Sequence, residues 1–402
     1  MGIGNQDETA FAFEGNWRDY APIALTNLFL TIITLGIYRF WATTRERKYL
    51  WSQTRFIDDH LEWTGTGKEL LIGFFIVTAL VTPPLLFINI YFQRMLLNNQ
   101  TTAAITIFAF IYLFLLFLGG IARFRGLRYR LSRTYWHGIR GGSDDPGFRY
   151  GLSYLWKYLI GYLAAGLLVP WSMAALWKER WEGMSFGPLA FESNPQWSEL
   201  MKRYLLFYLS PFVAMVALIV VAAPMAMAGM VGGDDLSPFI TVLLAIGFVL
   251  VFYGSIGVIA LIFYAKFFRE TVNTLSLGGL EFEFTARSKD WVKFAVVSAA
   301  LYIIALAIVF AVLLPFGISE GLSNYFLTAG KNTSLITILA IGLVASIPLG
   351  LVSVINQFRN WRFFITHLEA GGEVRLDDFT QSTTREVTQG EGLLDAFDVG
   401  AI

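Results

Sequence analysis

Few side chains in these 402 residues could carry covalent or metal chemistry. The three histidines are His60, His137 and His367, and the absence of cysteine removes disulfides, thiolate metal sites, iron-sulfur clusters and cysteine nucleophiles together. His60 follows Asp58 and Asp59, but adjacent side chains rarely converge on one ion and no second cluster accompanies them, so a turn is expected there. The stretch from His137 to Gly147 offers glycines and Arg140 to a phosphate. It lacks the glycine-then-Lys-Ser/Thr order of a P-loop, and Asp144 and Asp145 would repel an anion. Neither His-Glu-x-x-His nor Gly-x-Ser-x-Gly occurs. The expectation is a non-enzyme with no catalytic, metal-binding or cofactor-binding residue and no cofactor.

What remains to be positioned is a set of apolar segments. With 55% apolar residues, 16% aromatics, 15% charge and a mean hydropathy of +0.56, the chain falls outside the soluble globular class. Its class is an all-α polytopic membrane protein. Six segments are long enough for a hydrocarbon core of roughly 30 Å: Leu70 to Phe92, Thr101 to Ala122, Tyr204 to Gly233, Leu236 to Ala265, Phe294 to Ser319 and Asn332 to Phe358. They read as three long transmembrane hairpins whose middles carry essentially no charge, which argues against ion-coupled transport. Asn27, Asn89 and Asn356 are the notable polar side chains within apolar stretches, candidates for interhelical hydrogen bonds or for lining a path. The first residues are polar and acidic, so no cleavable leader is expected.

Six near-copies of a short alternating motif punctuate these segments: Phe11-Ala-Phe13-Glu-Gly15, Leu61-Glu-Trp63-Thr-Gly65, Phe148-Arg-Tyr150-Gly151, Leu189-Ala-Phe191-Glu-Ser193, Leu280-Glu-Phe282-Glu-Phe284 and Val374-Arg-Leu376-Asp-Asp378. Alternation predicts half-buried strands in short β-hairpins. The connectors Gln93 to Gln100, Gly229 to Ser237 and Gly317 to Lys331 hold only Arg94 and Lys331 of the 30 Lys and Arg, so the motif-bearing loops and both termini should be cytoplasmic. The shorter apolar segments 21–38 and 158–177 would break that rule as full spans. Helix-weakening Thr34-Leu-Gly36 and Ala165-Gly166-Leu-Leu-Val-Pro170 instead predict re-entrant or broken segments. The motif spacing divides the chain into a polar start at 1–10, repeat units at 11–147 and 148–279, a shortened unit at 280–379 and an acidic tail at 380–402.

Arg45, Arg47 and Lys48, and again Arg128, Arg130 and Arg133, alternate with aromatic residues, a pattern suited to an interfacial helix meeting anionic lipid headgroups. Nucleic acid is not expected as a partner, because these basic residues serve membrane-adjacent loops. The tail ends in Leu393-Leu394-Asp395-Ala-Phe397, apolar on one helical face. It could dock on the protein's own basic loops or on a membrane-protein partner.

The run Asn27-Leu-Phe-Leu-Thr31-Ile-Ile-Thr34-Leu-Gly36-Ile-Tyr38-Arg39-Phe-Trp41, followed by Arg45-Glu-Arg47-Lys48-Tyr49, resembles the YjgN family of bacterial inner-membrane proteins, as does the ending from Gly390 to Gly400. That resemblance implies a bacterial multi-pass inner-membrane protein built on a domain of unknown function, with no catalytic residues to carry over. Two functional expectations stand. One is a non-ion-coupled transporter or channel-like component for a small or lipid-like molecule; the other is a membrane scaffold or partner protein.

Overall fold

The computed structural model describes residues 9–232, 238–313, 335–372 and 379–385. Strand β1 (Phe11–Phe13) precedes helices α1 (Trp17–Ile33) and α2 (Arg39–Ser52), which are joined by a five-residue break. Asn16 caps α1 by accepting from the Arg18 N–H. At the break Gly36 N–H bonds the Thr31 carbonyl at 2.7 Å and Leu35 N–H the Ile32 carbonyl at 3.1 Å, with Leu35 (φ 51°) and Gly36 (φ 91°) left-handed. This double bond pattern satisfies carbonyls that the ending helix orphans.

Three short strands follow: β2 (Thr54–Phe56), β3 (Asp59–His60) and β4 (Glu62–Trp63). Thr66 and Glu69 then form a capping box at the start of α3 (Gly67–Phe87), which holds Pro83 and Pro84. Prolines remove backbone donors, and the turn after them relaxes into a π-helical stretch, Ile88–Phe92. After α4 (Gln93–Leu97) the chain returns through α5 (Thr101–Arg133) to β5 (Thr134–Trp136) and β6 (Ile139–Gly142).

A second broken helix, α6 (Phe148–Leu163) and α7 (Val169–Glu182), comes next. Its break again has a left-handed pair, Ala165 (φ 52°) and Gly166 (φ 81°). Then come β7 (Ser185–Phe186), β8 (Leu189–Ser193), α8 (Trp197–Gly232), α9 (Pro238–Val272), β9 (Leu275–Leu277), β10 (Leu280–Phe284), α10 (Ser288–Leu313), α11 (Leu335–Thr366) and β11 (Leu368–Gly372).

Among the described residues six helices are long and apolar enough to cross a membrane, with spans at Gly67–Leu97, Thr101–Arg133, Trp197–Ala217, Phe252–Val272, Ser288–Val312 and Gly342–Thr366. Between 6% and 22% of each span is buried, so most of the apolar surface of these helices faces outward. So large an exposed apolar area suits hydrocarbon and not water. Neighbouring helices pack in the order α2 on α1, α1 on α11, α11 on α10, α10 on α9, α9 on α8, α8 on α7, α7 on α6 and α6 on α5, while α3 meets α5 through the π-helical stretch and α4.

The strands depart from the expected isolated hairpins. Strands β4 to β11 form one eight-stranded antiparallel sheet in sequence order, and β1 to β3 a second of three. Leu61 N–H bonds the Thr54 carbonyl beside this junction, and β1 lies beside β11, which curls the array into a half-barrel. The loop between α2 and α3 brings three short strands and those between α5 and α6, α7 and α8, and α9 and α10 bring two each, and pairing them with the next loop's strands satisfies edges that isolated hairpins would leave open. Inside the curl Phe56, Trp136, Ile139, Phe186, Phe191, Leu275, Leu277, Leu280 and Ala370 form one core with Phe124, Tyr150 and Tyr154 from the helices.

Four motif copies lie on strands β1, β4, β8 and β10. The third does not: Phe148-Arg-Tyr150 opens helix α6, whose buried residues are Tyr150, Gly151, Tyr154, Lys157 and Gly161. Alternation over four residues is too short to separate period 2 from period 3.6. The strand of this region is β6, which starts nine residues before Phe148, and its two glycines hide the alternation. The sixth copy at 374–378, the connectors at 233–237 and 317–331 and the tail beyond 385 lie outside the described residues.

Candidate functional site

Polar side chains concentrate where helices meet the strand cap. In the first broken hairpin Asn27 is fully buried, and its amide donates to the Ala42 carbonyl at 3.2 Å and to Glu46 Oε1 at 2.9 Å, tying α1 to α2. At the head of α3, buried Glu69 accepts from Tyr129 OH at 3.0 Å and from Arg133 Nη2 at 2.7 Å while also capping Thr66 N–H at 3.3 Å. One carboxylate thus joins α3 to α5. Arg47 packs over the Trp63 ring at 5.1 Å. Arg359 on α11 is met by neutral acceptors, Ser298 Oγ at 3.3 Å and Asn356 Oδ1 at 3.0 Å.

The second broken hairpin carries charge in its middle. Buried Lys157 pairs with Glu179, whose other oxygen accepts from Ser153 Oγ at 2.5 Å. Around its break stand Tyr162 of α6, whose carbonyl accepts from Gly166 N–H at 3.2 Å, Tyr204 and Tyr208 of α8 with rings 6.0 Å apart, and Tyr264 of α9, next to Phe263, which packs on Tyr204 at 5.3 Å. Tyr204 OH donates to the Gly166 carbonyl at 2.6 Å, and the Gly166 α-carbon faces the Tyr208 ring. The hydroxyl satisfies a carbonyl that the broken helix frees.

Across the strand cap runs the segment 379–385. Phe379 meets Trp136 edge-on at 5.5 Å, Arg140 Nη2 donates to the Thr384 carbonyl at 2.5 Å, and Arg385 N–H donates to Asp144 Oδ1 at 2.9 Å. The stretch considered as a phosphate cradle is therefore covered by the chain's own polypeptide. His60 sits on β3 against Glu14 at 3.1 Å, His137 against Asp58 at 3.0 Å, and His367 against the Phe363 carbonyl at 2.8 Å. Among the described residues no group of three or more His, Asp or Glu could hold a metal ion.

With this geometry in view, residues 8–396 match the family described as bacterial protein of unknown function DUF898. The chain belongs to that family. Curated relatives named inner membrane protein YjgN match a shorter stretch: that of Salmonella typhimurium is 25% identical over 147 residues, 37% of this chain and 33% of the relative. The one from Escherichia coli O157:H7 is 29% identical over 131 residues, 33% of this chain and 30% of the relative. The match spans no more than a third of these relatives' length. No solved structure matches the chain. Relatives named for the inner membrane and six apolar helices agree on a multi-pass membrane protein.

Within this DUF898 chain the three asparagines do not meet. Asn27 joins α1 to α2, Asn356 joins α11 to Ser298 of α10 at 3.0 Å, and Asn89 is exposed on the π-helical stretch. The six basic candidates also divide. Arg45 and Lys48 are exposed and Arg130 half-buried, whereas Arg47, Arg128 and Arg133 are built into the interior, Arg128 donating to the Asp145 carbonyl at 2.6 Å. Sequence reading missed Glu69, Lys157, Glu179 and the tyrosines. Thr66-x-x-Glu69 was a visible capping box, and Tyr150, Tyr154, Tyr158 and Tyr162 recur every fourth residue along one face of α6.

Proposed function

We propose that this DUF898 protein is a non-enzymatic inner-membrane component that accommodates an amphipathic, lipid-like molecule beside the break of its second half-inserted hairpin. The observation that carries this reading is the placing of four phenols from three helices around that break, two of them, Tyr162 and Tyr264, at least half exposed. Phenols combine an apolar body with a hydroxyl donor and acceptor, the lining a neutral polar group on an apolar molecule would need. Photo-crosslinking tests it. A benzophenone side chain at Tyr264 should capture an apolar small molecule from the membrane, one at Leu35 should capture only bulk phospholipid, and identical adducts at both would end the reading.

The architecture behind it is three membrane-crossing hairpins, α3 with α5, α8 with α9 and α10 with α11, together with two hairpins that dip in and return. Helices of 17, 14, 16 and 14 residues are too short to cross singly, since about 20 residues are required. Both tips are apolar and outward, Leu35 being 87% and Leu163 81% exposed. Basic residues accumulate on the strand side, which supports a cytoplasmic cap with cytoplasmic termini. Duplication is supported by backbone correspondence: the left-handed pairs Leu35/Ala165 and Gly36/Gly166, and the strand turns Ile57/Gly187, each lie 130 residues apart. By that register the second unit begins near Ile139, since β6 stands where β1 stands in the first.

A second reading, a scaffold for a membrane-bound partner, is favoured by the segment 379–385 seated on the strand cap. Affinity purification of the intact chain against a deletion after Phe379 separates it: partners lost with the tail support the scaffold, and an unchanged set removes it. Exposed Arg45 and Lys48 fit general attraction to anionic headgroups in either case.

A further inference from the structure

The strand cap grips the segment 379–385 largely by its backbone and leaves one charge beside it unused. The peptide unit between Thr384 and Arg385 is held at both ends: Arg140 Nη2 donates to its carbonyl at 2.5 Å, and Asp144 Oδ1 accepts from its N–H at 2.9 Å. Two glycines make room for this course. A side chain on Gly187 would start 2.8 Å from the Thr380 carbonyl, and one on Gly142 would start 2.5 Å from Thr384 Oγ1. Phe379 is the one buried residue of the segment, edge-on to Trp136 at 5.5 Å, whereas Thr380, Gln381, Thr383 and Arg385 are exposed. Arg140 is 9% exposed, and its Nη1 is sealed from solvent with no hydrogen-bond partner. Among the described residues no carboxylate pairs with it. A buried guanidinium met by one neutral carbonyl is under-satisfied, because desolvated charge is ordinarily paired. The missing partner has a defined place: Nη1 lies 3.5 Å from the same point above Gly142 that Thr384 Oγ1 approaches.

We propose that this groove is a docking site for an acidic, extended peptide of a partner protein, and that the segment 379–385 is a neutral stand-in that keeps it closed. The occupant offers an aromatic ring to Trp136, a main-chain peptide unit to Arg140 and Asp144, and a carboxylate where Thr384 stands. That carboxylate turns a single neutral bond at Arg140 into a charge-assisted pair with its planar fork. Asp144 does not oppose it, since the peptide's own N–H engages that side chain as the Arg385 N–H does in the closed groove. A tethered segment competes at the high effective concentration of a linked ligand, so a partner displaces it only by carrying the better-matched side chain. The site goes beyond both functional readings above and needs neither the phenols nor a partner gripped by the tail.

The test uses the full chain in neutral detergent and fluorescein-labelled peptides of residues 379–385, blocked at both ends and followed by fluorescence anisotropy. Phe379→Ala in the chain loosens its own segment and opens the groove to them. To that chain a peptide with Thr384→Glu should bind at least about tenfold more tightly than one with Thr384→Gln, which has the same size without the charge. Adding Arg140→Gln to the chain should abolish the preference. Arg140 is buried, so a second arm covers poor folding of its variant: in the otherwise native chain Thr384→Glu should raise the melting temperature and Thr384→Gln should not. Equal binding of the two peptides, binding of neither, a preference that persists in folded Arg140→Gln, or coincident melting temperatures of the two Thr384 variants would overturn the proposal.

Discussion

The two broken hairpins share a backbone and differ in what holds it. Both have a left-handed pair at the break and an exposed apolar tip, and both have a buried polar residue eight positions before the first left-handed residue, Asn27 in one and Lys157 in the other. In the first, a neutral amide joins the helices by donating to a carbonyl and to Glu46; in the second, a charged amine meets Glu179. At the first tip nothing lies within 4 Å of where a Gly36 side chain would start, while at the second Tyr204 and Tyr208 crowd Gly166. The bare break shows that this turn closes with its own backbone hydrogen bonds. The phenols around the other are therefore more than the turn needs, and that surplus motivates the ligand reading.

The comparison can be broken first at the tips. Leu35→Asp and Leu163→Asp should each cost about 3 kcal/mol of membrane insertion, read from the fraction that resists alkaline extraction, because a carboxylate at membrane depth is that unfavourable. A tolerated Leu163→Asp beside a damaging Leu35→Asp would show that only the first hairpin inserts. Next, Glu179→Ala leaves Lys157 buried without its partner and should lower stability by about 2–3 kcal/mol in thermal unfolding. Asn27→Leu removes a neutral donor's bonds to the Ala42 carbonyl and the Glu46 carboxylate without stranding an unpaired cation, and about 1–2 kcal/mol is expected; equal losses would erase the distinction between the hairpins. The smallest effect should come from Tyr204→Phe, about 1 kcal/mol, since it uncovers one carbonyl in an otherwise intact turn.

Much of the fold was legible in the sequence because the governing forces are local. Charge-free runs of about 20 residues can do little but span, and the weakened stretches at Thr34–Gly36 and Ala165–Pro170 contain both left-handed pairs. Turns at Gly187 and Gly278, just before the Leu189 and Leu280 motifs, likewise close real hairpins. What stayed hidden was long-range. Joining β4 to β11 into one sheet depends on the order in which loops from distant helices meet, and no short alternation encodes that order. Strand β6 escaped notice because Gly141 and Gly142 present no side chains to alternate. The asparagines drew attention as rare polar groups in apolar runs, yet the pairs Glu69 with Arg133 and Lys157 with Glu179 join residues far apart in sequence, and Arg133 reads on its own as an interfacial cation.

Because the chain has no cysteine, single cysteines report cleanly on sidedness. With Cys at Glu14, Glu62, Arg149 and Glu192 in turn, an impermeant maleimide applied to right-side-out spheroplasts should label none until the membrane is opened. Labelling of the Glu62 and Glu192 positions from outside, with Glu14 and Arg149 protected, would place the strands on two sides and contradict the half-inserted hairpins.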